Sequence, residues 1–248
     1  MYELPEECLA WTHSTALMDL DDPRLRLKAH SLTQLCRNER EAVLALYAYV
    51  KRLPFFKTYK LRLHTARAVL DQQRGDADDK ATLLVALLRS KGLAARVRYL
   101  AFRGELLRGL TTTISSIARP VVEVWLGGAW CGTDTYIFDA SYLGGARRRL
   151  ESEEADWGYG ISRHGATLWG ATGDAFLTGD PHQTPELFLG ALGHYHDPEH
   201  FIQSAVCHQQ FGGLTRLLQW NLLASLMEGT VAQVRNEGTH GRPADSVA

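Results

Sequence analysis

Residues 75–99 read GDADDKATLLVALLRSKGLAARVRY, and this stretch constrains the fold more than any other part of the sequence. Asp76 is a good N-cap, and the acidic residues that follow it suit the positive end of a helix dipole. Gly92 supplies a C-terminal stop. Beyond it, β-favouring residues from Ala95 to Phe102 predict a strand that enters a sheet. The helix is expected to run for about 15 residues and to bury an apolar stripe made of Leu83, Leu84, Leu87 and Leu88.

The segments on either side of this unit predict more helices and an antiparallel hairpin. Apolar residues recur at helical spacing from Arg24 to Leu35 and again from Glu39 to Val50, after which Pro54 stops the second helix. Residues 104–118 are polar and small, which is typical of a loop, here with some edge-strand character. The stretch PVVEVWLGGAWCGTDTYIFD then predicts two strands joined by a Gly-Gly turn. The sequence therefore predicts an α+β fold in which helices pack on an antiparallel sheet.

Composition and charge argue against several classes of function. The chain has 248 residues and a formal net charge of −1, which gives no electrostatic basis for binding nucleic acid or an anionic membrane surface. The start, MYELPEECLAW, lacks the basic and apolar regions of a signal peptide, and no apolar run is long enough to span a bilayer. The cysteines are scattered, which does not indicate a disulfide framework. We therefore expect a cytoplasmic protein with reduced thiols that binds neither nucleic acid nor a membrane.

The order of these elements, together with their residues, resembles the transglutaminase-like superfamily, whose cores are papain-like. The resemblance runs from about Arg24 to Asp139 and is strongest in ARAVLDQQRGDADDKATLLVALLRSKGLAARVRY and VVEVWLGGAWCGTD. It implies a core of helices on an antiparallel sheet, and a Cys-His-Asp triad. In the family the cysteine lies in a G-D-C-x-D segment at the helix start. The histidine opens a strand of the H-x-W-V-E-V type, and the aspartate follows the tryptophan of the next strand.

Such a triad performs acyl transfer through a thiolate. A thiol at a helix N-terminus is shifted toward its ionised form by the dipole, and a neighbouring imidazole shuttles the proton while the aspartate orients the ring. Attack on an amide, ester or thioester carbonyl gives an acyl-enzyme, which is passed to an amine or to water. The resemblance therefore implies transglutaminase or cysteine-peptidase chemistry wherever the three residues are present.

In this sequence the three triad positions fall on Ala77, Arg119 and Asp134. Alanine has no reactive atom, and arginine stays protonated and cannot act as a base. Only the aspartate is retained. Because the imidazole and carboxylate of the family touch, we expect Arg119 and Asp134 to form an ion pair. That pair either stabilises the former site or, together with Asp76, binds a ligand.

Three functions are compatible with this pattern. The favoured one is a non-catalytic member of the family, a pseudoenzyme without a cofactor, that binds a peptide, a small molecule or a protein partner. The second is metal-assisted hydrolysis in the same cleft by the cluster from His194 to His208, with His194, His196 and His200 as zinc ligands, although their spacing matches no metal motif. The third is an acyl-transfer or peptidase-type enzyme whose sequence carries inactivating changes at positions 77 and 119.

We expect three regions along the chain. Residues 1–140 are expected to form the core with its N-terminal helices. Residues 141–235 are expected to form a glycine- and aromatic-rich segment that wraps around the core, called the wrap below, and C-terminal helices that pack on it. Residues 236–248 are expected to form a flexible tail. The stretch LTRLLQWNLLASLMEGTVAQV predicts an amphipathic helix that covers the core or forms a homodimer surface. The stretch EADWGYGISRHGATLWGATGDAF resembles bacterial transglutaminase-like proteins, and its expected buried anchors are Trp157, Tyr159 and Trp169.

Overall fold

The computed structural model describes residues 4–57, 62–181, 185–211 and 227–239. Its architecture is α+β, with helices packed against an antiparallel sheet, which confirms the predicted fold class. The described helices are α1 (Glu6–Leu9), α2 (Pro23–Thr33), α3 (Glu39–Arg52), α4 (Ala66–Gln72), α5 (Ala77–Arg89), α6 (Ala140–Ser152), α7 (Pro198–Ile202), α8 (Ala205–Phe211) and α9, which covers residues 227–239. The strands are β1 (Ala95–Arg103), β2 (Ser116–Leu126), β3 (Ala129–Thr133), β4 (Trp157–Gly158), β5 (Ile161–Ser162) and β6 (Phe188–Tyr195).

The main sheet has the strand order β3-β2-β1-β6, and all neighbours are antiparallel. Strands β2 and β3 form the predicted hairpin, whose turn residues Gly127 and Gly128 have φ of +62° and +87°, as a two-residue turn of this hand requires. Strand β2 begins at Ser116, inside the segment 104–118 that was predicted as a loop. The loop was expected to have some edge-strand character, and the strand begins where Ser116 pairs with Arg103 across the sheet.

Helix α5 is the central helix of the fold. Every residue from Asp79 to Arg89 is buried, because the helix lies between the sheet and helices α3 and α4. It has 13 residues, slightly fewer than predicted. The chain leaves the helix before Gly92, whose φ is +76°, and the Leu93 N–H reaches back to the Leu88 carbonyl. The start of this helix is therefore held rigidly against the sheet.

Two buried lysines brace the segment between β3 and α6. Lys80 is fully buried, and its Nζ donates to the carbonyls of Leu53 at 2.8 Å and Ile137 at 2.9 Å. Lys51 Nζ donates to the carbonyl of Thr135 at 2.8 Å. Burial lowers the pKa of Lys80 well below its usual range and lowers the pKa of Lys51 to about 8. Both side chains bind backbone oxygens that the loop would otherwise leave unsatisfied.

These lowered pKa values predict that the protein becomes more stable as the pH rises above 8. In the unfolded chain a lysine stays protonated up to about pH 10, whereas Lys51 loses its proton in the folded chain near pH 8. The unfolded state then binds more protons, so the free energy of unfolding rises with pH, by up to about 1.4 kcal/mol per pH unit for one group. Urea unfolding between pH 7.5 and 9 measures this slope.

The matched comparison for this prediction is Lys51→Met against Lys91→Met, since Lys91 is exposed. Lys51→Met should reduce the rise of the unfolding free energy with pH, while Lys91→Met should keep the rise seen in the unmodified protein. The buried thiols Cys8 and Cys131 act in the opposite direction because burial raises the pKa of each. Their contribution is common to all three proteins and cancels in the comparison. Equal slopes for the two variants would contradict the assignment to Lys51.

Helices α6 and α9 pack closely together on the core. Asp139 caps α6 through the N–H of Tyr142. Arg235 of α9 donates from Nη2 to Asp139 Oδ2 at 2.9 Å and to the Phe55 carbonyl at 2.6 Å. Gly145 lies against the backbone of α9, where a Cβ atom would collide with a carbonyl. The last described helix is therefore tied both to the start of α6 and to the chain that follows α3.

The C-terminal half differs from its prediction in several places. Helix α6 lies in the part of the chain where only a wrap was expected, and residues 236–239, assigned to a flexible tail, continue α9. Most of the predicted amphipathic helix, and the tail from residue 240, lie outside the described residues. Tyr159 and Trp169 are buried as expected, whereas Trp157 is only half-buried. No helix within the described part of the chain is long and apolar enough to cross a membrane.

Candidate functional site

A cavity of about 80 Å³ lies where the start of α5 meets strand β2. Ala77, the first residue of α5, and Arg119 of β2 both line it. The structure therefore brings together two of the positions that the sequence singled out. Most of the remaining lining is apolar and includes Phe55, Leu107, Leu110, Ile117, Phe138 and Met227.

The start of α5 is fixed by a reciprocal capping box. Asp76 accepts a hydrogen bond from the Asp79 N–H, and the Asp79 carboxylate accepts one from the Asp76 N–H. A Cβ at Gly75 would lie 2.6 Å from the Asp79 Cβ, so the glycine permits this close return of the chain. Asp76 also pairs with Lys57, whose Nζ lies 2.8 Å from Asp76 Oδ2. The predicted N-cap is confirmed, and Ala77 is held in one place.

Arg119 and Asp134 form the predicted ion pair. The distance between Arg119 Nε and Asp134 Oδ2 is 2.8 Å, and both side chains are buried. Arg119 Nη2 donates to the Gly160 carbonyl at 2.8 Å, while Asp134 Oδ1 accepts from the Leu177 N–H at 2.7 Å. Burial raises the pKa of Asp134, and the neighbouring guanidinium opposes that rise. Arg119 and Asp134 are thus held together by three polar contacts in the interior.

Two tyrosines support the cavity wall, and sequence reasoning missed both of them. Tyr99 of β1 donates to Asp78 Oδ1 at 2.7 Å, and Tyr136 donates to the Pro120 carbonyl at 2.9 Å. Lys57 was missed as well, because it lies 20 positions before Ala77. Tyr99 and Tyr136 lie within the stretches quoted above, but their contacts with Asp78 and Pro120, like the position of Lys57, arise only through tertiary packing. Asp78 and Pro120 thereby have fixed positions beside the site.

A family model matches the central part of the chain. The family model of the transglutaminase-like superfamily matches residues 27–135, a range that contains Ala77, Arg119 and Asp134. Residues 27–135 form a transglutaminase-like domain. Its mixed helix and antiparallel-sheet core is the one that the sequence predicted, and recognition of the family from the stretches on either side of Ala77 and Arg119 is confirmed.

One solved structure similar to this chain is a candidate cysteine protease from Cytophaga hutchinsonii. It is 18% identical, the match covers 52% of this chain, and the TM-score is 0.43. The match covers 42% of that protein, so this chain spans less than half of its length. No curated protein matches the sequence.

The transglutaminase-like domain lacks the usual nucleophiles at its cavity. Among the described residues that line the cavity there is no cysteine, serine, threonine or histidine. Cys131 lies on β3, and burial raises the pKa of its thiol, which disfavours the reactive thiolate. His64 lies near the helix start, but its Nδ1 is 3.2 Å from Asp79 Oδ1, within the cap itself. Within the described part of the chain, the cavity wall therefore offers neither a thiol nor an imidazole.

The structure does not bring the three candidate zinc ligands together as one set. His194, His196 and His200 lie at the end of β6 and in the following turn and helix. Among the described residues, no group of three or more histidine, cysteine, aspartate or glutamate side chains is arranged to hold a metal ion. The rings of His196 and His200 lie 5.7 Å apart, but they contact Trp11 and Asp197 respectively, and His194 contacts Glu123 instead. None of the three lines the cavity at Ala77.

Proposed function

We propose that this chain is a non-catalytic member of the transglutaminase-like superfamily and uses the former catalytic cavity to bind a ligand. The observation that carries the proposal is the position of Ala77. It lies at the capped start of α5 and shares one cavity with the Arg119–Asp134 pair. The scaffold of the reaction centre is therefore present without the atom that would attack a carbonyl.

The remaining polar groups at the cavity do not replace the triad. Arg119 has no lone pair to accept a proton, and Asp134 is engaged by Arg119 and by the Leu177 N–H. The Lys57 ammonium contacts Asp76. A cavity with a mostly apolar wall and a few placed polar groups is typical of small-molecule and peptide sites. The metal-assisted alternative gains no support from the separate neighbours of its three histidines.

An esterase and acyl-transfer assay tests the proposal. The unmodified protein is incubated with p-nitrophenyl acetate, and separately with a glutamine-containing peptide and a primary amine. We expect rates equal to those of an Arg119→Lys variant and of buffer alone, since no nucleophile is present. Turnover by the unmodified protein that falls at least about tenfold in Arg119→Lys, a difference of about 1.4 kcal/mol in barrier height, would overturn the proposal.

A further inference from the structure

Three strongly exposed leucines lie on one side of the molecule, away from the cavity. Leu27 lies on α2 and Leu35 in the turn that follows it, and their exposed fractions are 67% and 88%. Leu168, which is 72% exposed, lies in a loop that meets the same side. No other large hydrophobic side chain among the described residues is exposed to this degree. A single exposed leucine is ordinary in a globular protein, but several together indicate a contact surface.

Helix α2 and its last turn hold the first two leucines in place. The side of α2 that faces the core buries Leu25, Ala29 and Thr33. Leu27 therefore lies on the opposite face of the same helix. The Cys36 N–H donates to the Thr33 carbonyl at 3.0 Å and closes the turn that carries Leu35. Both leucines are thus presented to solvent by regular, hydrogen-bonded backbone.

The loop that carries Leu168 is fastened to helix α3. Arg40 Nε donates to the Gly170 carbonyl at 2.9 Å. The buried Trp169 packs on Tyr47 of α3, with 5.5 Å between the ring centroids. Leu168 precedes this anchor directly, and α3 follows the turn after α2. Leu27, Leu35 and Leu168 therefore share one side of the fold, and we call these three residues the leucine surface.

The charged side chains near the leucine surface are mainly basic. Between Pro23 and Asn38 the chain contains no aspartate or glutamate. From residue 26 to residue 41 the cationic residues are Arg26, Lys28, Arg37 and Arg40, and the acidic ones are Glu39 and Glu41. This local excess of positive charge is opposite in sign to the net charge of the whole chain, which is −1.

The four cations are not neutralised within the described part of the chain. Neither the Arg26 nor the Arg37 side chain forms an ion pair there. Arg40 binds an uncharged carbonyl, and Lys28 Nζ lies 4.3 Å from the centroid of the Tyr49 ring. Their charges are therefore available to a partner.

The carboxylates closest in the fold are already engaged. Arg67 contacts Asp22 at 2.9 Å and Asp71 at 2.8 Å. Glu41 accepts a hydrogen bond from the Arg37 N–H at 2.8 Å. These acidic groups hold the ends of α2 and the start of α3, so they do not compensate the guanidinium groups of Arg26 and Arg37.

This combination of leucines and cations favours one kind of partner. In a two-fold symmetric contact between copies of this chain, the same basic residues would face each other and repel. An acidic segment would instead be attracted to them. An amphipathic helix presents apolar side chains at intervals of three and four residues, which suits leucines that are about two helical turns apart.

We infer that the leucine surface, with Arg26 and Arg37 beside it, binds an acidic amphipathic helix of a partner protein. The leucines supply apolar contact area, and the arginines select for negative charge. None of these residues lines the cavity at Ala77. The inference is therefore independent of the proposed function.

Two matched peptides test the inference on the full chain. The probe is a fluorescein-labelled peptide with two repeats of Glu-Leu-Leu-Glu-Glu-Leu-Glu, and its twin has lysine in place of every glutamate. Fluorescence anisotropy at neutral pH gives both dissociation constants. We expect a value of about 100 μM or less for the glutamate peptide, and binding at least about tenfold weaker for the lysine peptide. Added salt should weaken the glutamate peptide further.

Variants at exposed positions show whether this surface is responsible. Leu27→Ser/Leu35→Ser should weaken the glutamate peptide by at least about tenfold. Leu189→Ser changes a leucine of β6 that is 49% exposed, and as the matched control it should leave binding unchanged. Arg26→Glu/Arg37→Glu should reverse the preference, so that the lysine peptide binds more tightly. Surface substitutions of this kind usually leave the fold intact.

Several outcomes would overturn the inference. They are equal binding of the two peptides, binding of neither, or an equal loss in the Leu189→Ser control. Phosphatidylserine vesicles test an anionic bilayer as the occupant, and analytical ultracentrifugation tests a second copy of the chain. Vesicle binding or a dimer that Leu27→Ser/Leu35→Ser abolishes, without binding of the glutamate peptide, would equally contradict it.

Discussion

Replacement of Asp134 by alanine should lower the free energy of unfolding by about 3–5 kcal/mol, because it removes one partner of a buried ion pair. Arg119 would keep only the Gly160 carbonyl, and the Leu177 N–H would lose its acceptor. A buried, uncompensated guanidinium is among the most costly defects in a protein interior. Urea or guanidinium unfolding at pH 7 measures the effect, with the m-value as a check that folding remains two-state.

The double variant Arg119→Met/Asp134→Leu is the matched control. It removes both charges and retains most of the volume, so it should recover most of the stability that Asp134→Ala loses. The two outcomes together separate the cost of an orphaned charge from the loss of a stabilising contact. If the double variant is as unstable as Asp134→Ala, the ion pair itself contributes net stability. An Asp134→Ala loss below about 1 kcal/mol, the range of an exposed pair, would contradict the buried arrangement.

The double variant Ala77→Cys/Arg119→His should acylate at least about a hundredfold faster than Ala77→Cys alone, because only the double variant pairs the thiol with a general base. Asp134 and the capped start of α5 are already in place to orient the imidazole and to favour the thiolate. Ala77→Cys alone retains arginine where proton transfer is needed. Intact-protein mass spectrometry after mixing with p-nitrophenyl acetate counts the acyl groups and gives the rate.

Two further proteins control this experiment. Arg119→His has the imidazole without a thiol and should not be acylated at position 77. Addition of Asp134→Asn to the double variant should lower its rate while leaving the thiol, since an amide orients the ring less well. If Ala77→Cys alone reacts as fast as the double variant, position 119 does not face position 77 in a productive way. In that event the assignment of the histidine position to Arg119 is wrong.

The part of the site that the sequence predicts is the part encoded by neighbouring residues. The Asp76 cap lies beside the helix that it starts. The spacing through the hairpin places Arg119 on β2 and Asp134 directly after β3, and their predicted ion pair is confirmed. Capping, turn chemistry and strand register act over a few residues. A sequence motif can therefore carry them, and the family resemblance adds the order of the elements.

The remainder depends on contacts between distant segments. Lys57 reaches the cavity from outside any recognisable motif, and the contact of Tyr99 with Asp78 joins two separate elements. The buried Lys80 reads in the sequence as an ordinary exposed helix residue. Strand β6 pairs with β1 although it follows it by more than eighty positions. Such contacts are selected by the packing of the whole chain, so periodicity and composition do not reveal them. The same limit explains why the helix over residues 140–152 was not predicted.

The position of Met227 in the cavity wall has a consequence for the order in which the protein matures on the ribosome. Ala77, Arg119 and Phe138 are synthesised well before Met227, which follows Phe138 by 89 residues. At about 5–20 residues per second, the wall is completed roughly 5–20 seconds after the rest of the cavity has been translated. A nascent chain therefore exposes an unfinished, apolar cleft during that interval, and the proposed ligand site is complete only once Met227 is in place.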